Sequence, residues 1–292
     1  MKDRISNNRH LLAIIFVIAE ALGFALMAFF VRMSGDLPTM QKAFFRNAVA
    51  AVIAAITLAK SNSGFKINKK GYKELFLRCL FGTTGLVMNF WAIDHLAIAD
   101  ANILNKMSPF FAIIMSVIIL KEIPNRFEWL MVLIAFIGAL FIVKPTAGIA
   151  SLPALVGLLS GFGAGTAYTF VRKLGMIGER GPVIVFCFSM FSVIVTLPFL
   201  ILDFRPMSGR QWVCLLLAGS CAAAAQFCIT NAYKIAPAKE ISVFDYTQVI
   251  FAAILGFAFL GEIPDSYSMI GYVIIIGASV VKWYYNTRIQ KE

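Results

Sequence analysis

Six charged side chains stand inside long apolar runs of this sequence, where a charge needs a partner. They are Glu20, Arg46, Arg78, Lys106, Glu240 and Asp245. A charge at the centre of a membrane helix costs roughly 2.5–3.5 kcal/mol, so it normally faces a cavity or an opposite charge. These residues and their polar neighbours are therefore the candidates for chemistry, and the chemistry they suit is the binding of a charged solute.

The segment NILNKMSP, residues 102–109, gathers the most polar groups within one such run. Asn102, Lys106 and Pro109 share a helix face because they are four and three residues apart. Pro109 has no amide hydrogen, so the carbonyl of Asn105 loses its usual helical donor. The ammonium, the amide and the free carbonyl suit a carboxylate or phosphate with a second polar contact. The alternative is that Lys106 forms a structural salt bridge with Glu20 and does not contact substrate. Both interpretations hold if the substrate displaces Glu20 from Lys106.

The corresponding part of the second half is VFDYTQV, residues 243–249. Asp245 and Gln248 share a helix face, and Tyr246 adds an aromatic hydroxyl. This segment has no proline, so its helix is expected to be straighter than the one that carries Lys106. An acid in one half that faces a base in the other suits a zwitterion, such as an amino acid or an amino-acid-containing nucleoside.

Glu20 and Arg46 are candidates for coupling or gating rather than for substrate contact. Glu20 is the tenth residue of its apolar run, and small residues flank it, which lets a helix or a solute approach. A carboxyl group in apolar surroundings can take up a proton near neutral pH, so Glu20 is either a proton-coupling group or a permanently paired structural acid. Arg46 is either a gate or a structural tie to a loop or helix end.

Two aromatic residues, Trp91 and Tyr168, are candidates for stacking on a planar solute. Packing, or a place in the aromatic belt at the membrane surface, is the alternative for both. Arg78 and Glu240 stand near the ends of their apolar runs, and their side chains are expected to extend to the membrane surface.

The composition indicates an integral membrane protein. Of the 292 residues, 60% are hydrophobic and 14% are charged, whereas soluble domains have about 25% charged residues. The net charge of +11 is carried mostly in short loops, so lipid headgroups are the expected partners rather than nucleic acid.

Five cysteines without a CxxC pair and only two histidines favour neither a metal site nor a disulfide framework, and no cofactor motif is present.

About 20 apolar residues are needed to cross the membrane as a helix. This length gives ten spans, at residues 11–31, 39–59, 75–95, 99–120, 127–143, 153–171, 183–202, 211–232, 240–260 and 267–285. The first run is too long for a signal peptide and is expected to remain as an uncleaved span. The loops that are rich in lysine and arginine place both termini in the cytoplasm, so the chain is expected to be a multi-pass protein of the cytoplasmic membrane.

The two halves of the chain repeat each other. LKEIPN, residues 120–125, ends the fourth span, and LGEIPD, residues 260–265, ends the ninth span 140 residues later. We therefore expect residues 1–146 and 147–292 to be two five-helix repeats that form one membrane domain. Because each repeat has an odd number of spans, the two are inverted, with the binding site between them near the midplane.

Glycines recur every fourth residue in the sixth span, at Gly157, Gly161 and Gly165. The stretch GLLSGFGAG superficially resembles a dinucleotide-binding loop. Because it stands inside an apolar run, the spacing instead predicts close packing of this helix against a neighbour.

Three stretches resemble the EamA-type members of the drug/metabolite transporter superfamily. They are FFRNAVA (44–50), LAIADANILNKMSPFFAIIMSVIILKE (96–122) and APAKEISVFDYTQVIFAAILGFAFLGEIPD (236–265). The resemblance implies a secondary transporter whose central cavity opens alternately to either side, and whose relatives carry small polar solutes such as amino acids, nucleotide-linked metabolites and vitamins, many of them outward. Lys106 departs from the family, which usually has an apolar or small residue there.

The function expected from this resemblance is transport of a small polar metabolite across the cytoplasmic membrane by alternating access, as an exporter or an exchanger. The expected partners are the solute and membrane lipids, with proton coupling or exchange, in a monomer or a homodimer. A flippase for a lipid or lipid-linked metabolite is the alternative. A membrane-embedded enzyme is disfavoured because the sequence shows no catalytic nucleophile, acid pair or metal cluster.

Overall fold

The structure is a computed structural model, which describes residues 2–61, 64–121, 125–143, 151–235 and 242–285. These ranges contain α-helices and no strand. The helices are α1 (Lys2–Met33), α2 (Thr39–Ala59), α3 (Tyr72–His95), α4 (Ile98–Asn105), α5 (Ser108–Ile119), α6 (Arg126–Val143), α7 (Leu152–Met176), α8 (Gly181–Leu202), α9 (Gly209–Ile235), α10 (Thr247–Leu255) and α11 (Ser266–Tyr284). A short 3₁₀ helix, Ser242–Tyr246, precedes α10, and a π-helical turn, Gly256–Leu260, follows it.

These helices match the ten predicted spans. Within the described ranges, eight helical stretches are long and apolar enough to cross a membrane, and one of them, Ile98–Ile119, joins α4 and α5. Phe244–Leu260 is a shorter apolar stretch, and α6 adds an apolar helix of 18 residues. The prediction of an all-α membrane protein is confirmed, with the fourth and ninth spans each built from more than one helical piece.

The packing of the helices follows a twofold pattern between the halves. Helix α1 packs along α9, and α3 packs along α7. Helices α1 and α7 are the first spans of their halves, and α3 and α9 are the third spans. Both contacts therefore pair the first span of one half with the third span of the other. Helices α2 and α8, and α6 and α11, pair each span with its own counterpart. Together with five spans in each half, this arrangement is that of an inverted repeat.

The repeated hexapeptide ends in a residue that starts the last span of each half. Asn125 Oδ1 accepts a hydrogen bond from the Glu128 amide at 2.8 Å, and Glu128 Oε2 accepts one from the Asn125 amide at 3.0 Å. In the second half, Asp265 Oδ1 accepts from the Ser268 amide at 2.8 Å. Both contacts satisfy amides in the first turn of a helix, which otherwise have no partner. The repeat in sequence is therefore a repeat of helix capping.

The fourth span is broken at Lys106. Helix α4 ends at Asn105, and α5 begins at Ser108 with Pro109 in its first turn. Pro109 therefore starts a new helix, a position where its missing amide hydrogen costs nothing, rather than kinking a continuous one as its spacing suggested. Lys106 lies at the junction, outside regular helix.

The ninth span changes its helical type but is helical without interruption from Ser242 to Leu260, whereas the fourth span is interrupted at Lys106. The 3₁₀ helix passes into α10 after Tyr246, and the span ends in the π-helical turn. These changes of helical hydrogen-bond pattern occur without a proline. Gly261 closes the span with φ of 66°, a conformation that glycine adopts at little cost.

Helix α7 packs closely against the broken fourth span through its glycines, as their spacing predicted. A Cβ atom on Gly161 would lie 2.6 Å from the carbonyl oxygen of Leu104. A Cβ atom on Gly165 would meet the carbonyl oxygen of Ser108 and lie 2.8 Å from Cβ of Phe111. The backbones on both sides of Lys106 thus rest directly on α7.

We expect Gly165→Ala to lower the melting temperature of the detergent-solubilised protein by at least about 2 °C, because overpacking of a close contact costs roughly 1–3 kcal/mol. Gly175→Ala is the matched control, since it lies in the same helix and a Cβ atom there has nothing within 4 Å. That variant should melt at the same temperature as the natural sequence or slightly higher, because alanine favours helix over glycine. Equal melting temperatures for both variants would contradict the close packing.

Candidate functional site

Three spans bring their charged residues together at the break in the fourth span. Lys106 Nζ lies 2.6 Å from Asp245 Oδ1 and 3.9 Å from Glu20 Oε1. Lys106 and Glu20 are both buried. The predicted pairing of a base in one half with an acid in the other is therefore present, and so is the alternative contact with Glu20. The ammonium has two acidic neighbours in one apolar surrounding.

Polar side chains around this cluster join the fourth and ninth spans. The Tyr246 hydroxyl donates to the carbonyl oxygen of Lys106 at 2.9 Å. Gln248 Nε2 donates to Asn102 Oδ1 at 2.5 Å, and Asn102 Nδ2 donates to the carbonyl oxygen of Ile98 at 2.8 Å. The interruption of the fourth span at Lys106 thus faces the change from 3₁₀ to α-helix in the ninth span. Asn102, Tyr246 and Gln248, predicted to contact substrate, make these contacts across the interface between the halves.

A central cavity of about 100 Å³ adjoins Lys106. Its polar lining residues are Arg46, Arg78, Asn89, Asn105, Lys106, Tyr168, Gln226 and Gln248. Five of these were predicted as site residues, whereas the roles of Arg78, Asn89 and Gln226 were missed or left open. Ligand pockets usually measure about 300–1,000 Å³. The cavity is therefore smaller than a typical ligand pocket.

Asn105, the last residue of α4, is turned toward α7. Asn105 Nδ2 donates to Ser160 Oγ at 3.0 Å, and the Ser160 hydroxyl donates to the carbonyl oxygen of Gly157 at 2.6 Å. Its side chain still borders the cavity. Asn105 therefore ties the cavity wall to the glycine face of α7.

Two buried arginines share this cavity. Arg46 and Arg78 are only 4% and 5% exposed. Arg46 Nη1 donates to Asn47 Oδ1 at 2.7 Å, and the Arg78 guanidinium lies over the Phe188 ring, 4.2 Å from its centroid. Among the described residues, neither guanidinium forms an ion pair with a carboxylate.

The expectation that Arg78 extends to the membrane surface is wrong, because the side chain turns inward. Gly82, one helical turn further along α3, leaves the space that it occupies, and a Cβ atom on Gly82 would collide with Arg78 Nη1. An arginine followed by a glycine four residues later in an apolar run is the sequence signal that indicates this. Glu240, the other residue expected at the surface, lies outside the described residues.

Ion pairs surround the end of the bundle where α1 meets α2, called here the α1–α2 end. Arg32 Nη2 lies 3.2 Å from Glu262 Oε1, and Lys42 Nζ lies 2.6 Å from Asp94 Oδ1. Glu262 Oε2 also accepts from the Ile98 amide at 2.8 Å, which ties the end of the ninth span to the start of the fourth.

Trp91 lies in a separate vestibule at the α1–α2 end, not beside Lys106. The vestibule measures about 570 Å³ and shares no lining residue with the central cavity. The Trp91 ring stacks on His95, with the ring centroids 4.0 Å apart. Tyr168, its predicted partner in stacking, borders the central cavity instead. The two aromatic residues therefore cannot contact one solute in this arrangement.

A family model described as the EamA-like transporter family matches the chain twice, at residues 11–144 and 151–283. The chain is 34% identical over 271 residues to the pseudopaline exporter CntI of Pseudomonas aeruginosa, covering 91% of this chain and 94% of the relative. It is 25% identical over 279 residues to a riboflavin transporter of Vibrio cholerae, covering 92% of each. A solved crystal structure matches its fold with a TM-score of 0.66 and 16% identity, covering 95% of this chain and 98% of the other.

We expect Lys106→Gln to lower the melting temperature more than Asp245→Asn does. Loss of the ammonium leaves the buried carboxylate of Glu20 and the partly buried one of Asp245 without a cation, whereas loss of the Asp245 charge leaves Lys106 beside Glu20. Removal of one partner from a buried ion pair costs about 3–5 kcal/mol. Thermal unfolding in detergent measures the difference.

Asp203→Asn is the control for this comparison, because its carboxylate is 3.9 Å from Arg205 in a largely exposed pair. Exposed pairs contribute little to stability, so that variant should melt close to the natural protein. If all three variants melted at one temperature, the buried cluster would have no structural role.

Proposed function

Since this chain belongs to the EamA-like transporter family, we propose that it carries a small polar solute with a carboxylate, such as a zwitterion, across the cytoplasmic membrane by alternating access. Small-molecule transport is the function of its relatives. The observation that supports this kind of solute is the buried cluster of Lys106, Asp245 and Glu20 between the two halves. A membrane protein retains such charges where a pathway needs them.

The cluster suits an exchange of partners. A carboxylate of the solute replaces Asp245 or Glu20 beside the Lys106 ammonium, and an ammonium group of the solute takes the released acid. The charges then stay paired throughout, as a site of low dielectric requires. Glu20 is the proposed proton carrier, because an acid displaced from its cation in an apolar surrounding favours the protonated form.

Alternating access follows from the two halves, which we take as residues 1–146 and 147–292. At the α1–α2 end, the pair Arg32–Glu262 joins α1 to the end of the ninth span and so connects the two halves. Toward the opposite end, Lys173 Nζ lies 3.1 Å from Glu74 Oε1 and joins α7 to α3. Rocking of one half against the other breaks one set of contacts while the other set persists.

Export is the proposed direction, because a relative with 34% identity is named as an exporter. The distribution of lysine and arginine among the loops favours a cytoplasmic location for both termini. With this orientation the α1–α2 end and its vestibule face the outside. The solute is then released past Arg32, Lys42 and Trp91.

The transport proposal is tested by comparing metabolite pools in cells with and without the protein, followed by counterflow of the accumulated solute in proteoliposomes. Lys106→Gln and Asp245→Asn should each reduce counterflow at least about tenfold, because about 1.4 kcal/mol of lost interaction with the solute already produces that factor. Arg210→Gln, which changes an exposed arginine whose hydrogen bond is to the Met33 sulfur, should transport normally.

Unchanged counterflow in both cluster variants would refute the role of the cluster. Inhibition by lysolipids but not by water-soluble solutes would instead favour a lipid flippase.

The orientation is tested with reporter fusions. Green fluorescent protein at either terminus should be fluorescent, and alkaline phosphatase at the carboxyl terminus should be inactive, because both termini lie in the cytoplasm. Alkaline phosphatase inserted after Arg205, in the segment between α8 and α9, should be active. The reverse pattern of activity would place the α1–α2 end in the cytoplasm and exclude the proposed direction of release.

A further inference from the structure

We propose that Arg46 and Arg78 form an anion subsite in the central cavity, which takes carboxylate or phosphate groups of a solute whose anionic groups outnumber its cationic ones. This inference rests on the proposed function, because it specifies the class of solute. It rests on different residues from the Lys106 cluster, and its test does not require transport.

The first observation is that the lining of this cavity holds polar atoms without partners. Among the described residues, the buried atoms Nε of Arg46, Nε of Arg78, Oδ1 of Asn89 and Oε1 of Gln248 have no hydrogen-bond partner, and all four residues line the cavity. Buried polar atoms are nearly always satisfied in folded proteins. Four unsatisfied atoms around one cavity indicate a place prepared for a polar ligand.

The second observation is the difference between the three buried cations of the site. Lys106 already has Asp245 at 2.6 Å and Glu20 at 3.9 Å. Arg46 has an amide oxygen as its partner, and Arg78 has an aromatic face. A buried charge without an opposite charge is costly, so a purely structural role for these two guanidiniums is unfavourable. They are the cations left for an anion from outside the protein.

The count of charges specifies the solute further. Lys106, Arg46 and Arg78 are three cations against the two acids Glu20 and Asp245, which leaves the site positive even when both acids are ionised. A zwitterion with one carboxylate and one ammonium adds no net charge and leaves this excess in place. A solute with an additional carboxylate or a phosphate neutralises the site, which lowers the cost of burying it.

The geometry of the arginines suits this group. A guanidinium presents its donors as a planar fork that matches both oxygens of a carboxylate or two oxygens of a phosphate. Gly82 provides the space that lets Arg78 turn into the cavity, and a Cβ atom there would collide with Nη1. Asn89 and Gln248 add acceptor oxygens, which suit N–H groups elsewhere on the same solute.

The test is the thermal stability of the full-length protein in detergent, with L-glutamate, L-glutamine and inorganic phosphate as probes at constant ionic strength. Glutamate and glutamine have the same shape and differ by one carboxylate. Glutamate or phosphate should raise the melting temperature saturably, by about 3 °C at ten times its Kd, and glutamine should raise it less. The larger of the glutamate and phosphate shifts identifies the preferred anionic group.

The variants Arg46→Gln and Arg78→Gln should lose this shift without melting earlier in the absence of a probe, because each removes an uncompensated buried charge. Gly82→Ala keeps every charge but displaces the Arg78 guanidinium, so it should weaken the shift as well. Arg210→Gln, an exposed arginine outside the cavity, is the control and should respond as the natural protein does.

Two results would overturn the anion subsite. The first is that none of the three probes raises the melting temperature of the natural protein more than chloride does. The second is a pair of arginine variants that melt earlier yet keep the full shift, since that combination means a structural role. Counterflow of a solute without net negative charge would likewise exclude the subsite while leaving the proposed transport intact.

Discussion

The contact between Lys106 and Asp245 is the interaction on which the rest of the site depends. It joins residues 139 positions apart in the two halves, at 2.6 Å. Both spans depart from regular α-helix at this contact, and backbone groups released by such breaks must be satisfied by other groups in the protein. The Tyr246 hydroxyl does this for the Lys106 carbonyl. The ion pair and this hydrogen bond therefore join the fourth and ninth spans where each departs from regular α-helix, beside the cavity.

Much of this architecture follows from the sequence because its physical causes are local. The thickness of the membrane sets the length of each apolar run, and the repeated hexapeptide marks the start of equivalent helices because Asn125 and Asp265 both cap them. The pairing of Lys106 with Asp245 is expected once the halves are aligned, since the two residues occupy nearly equivalent positions. The close packing of Gly161 and Gly165 follows from their spacing alone.

The features that the sequence did not reveal depend on contacts between helices. The change from 3₁₀ to α-helix before α10 occurs without a proline, and the polar contacts of Asp245 and Tyr246 there are with the other half of the chain. The inward turn of Arg78 depends on space beside Gly82 and on the Phe188 ring from α8. Trp91 has a side chain suited to stacking, but its position four residues before His95 puts it at the end of α3, away from the cavity. The spacing of residues along one helix predicts how deep in the membrane a side chain lies and on which helix face. The features above depend instead on the side chains and space that the neighbouring helices provide.

Among the ion pairs that join the two halves, the cations near the ends of the bundle are more exposed than the central Lys106, and this difference bears on how the proposed transporter would move. Arg32 and Glu262 have side chains 29% and 15% exposed, and those of Lys106 and Asp245 are 7% and 15% exposed. Pairs that water can reach contribute little and are easily exchanged for hydration, whereas separating a buried pair leaves charges in apolar surroundings. In the proposed cycle, the pairs that join the halves near the ends would therefore be the ones that separate, and the central charges would stay paired by exchanging partners. Weak pairs between the halves near the ends of the bundle, and a buried pair between them at its centre, suit the proposed rocking about the central pair.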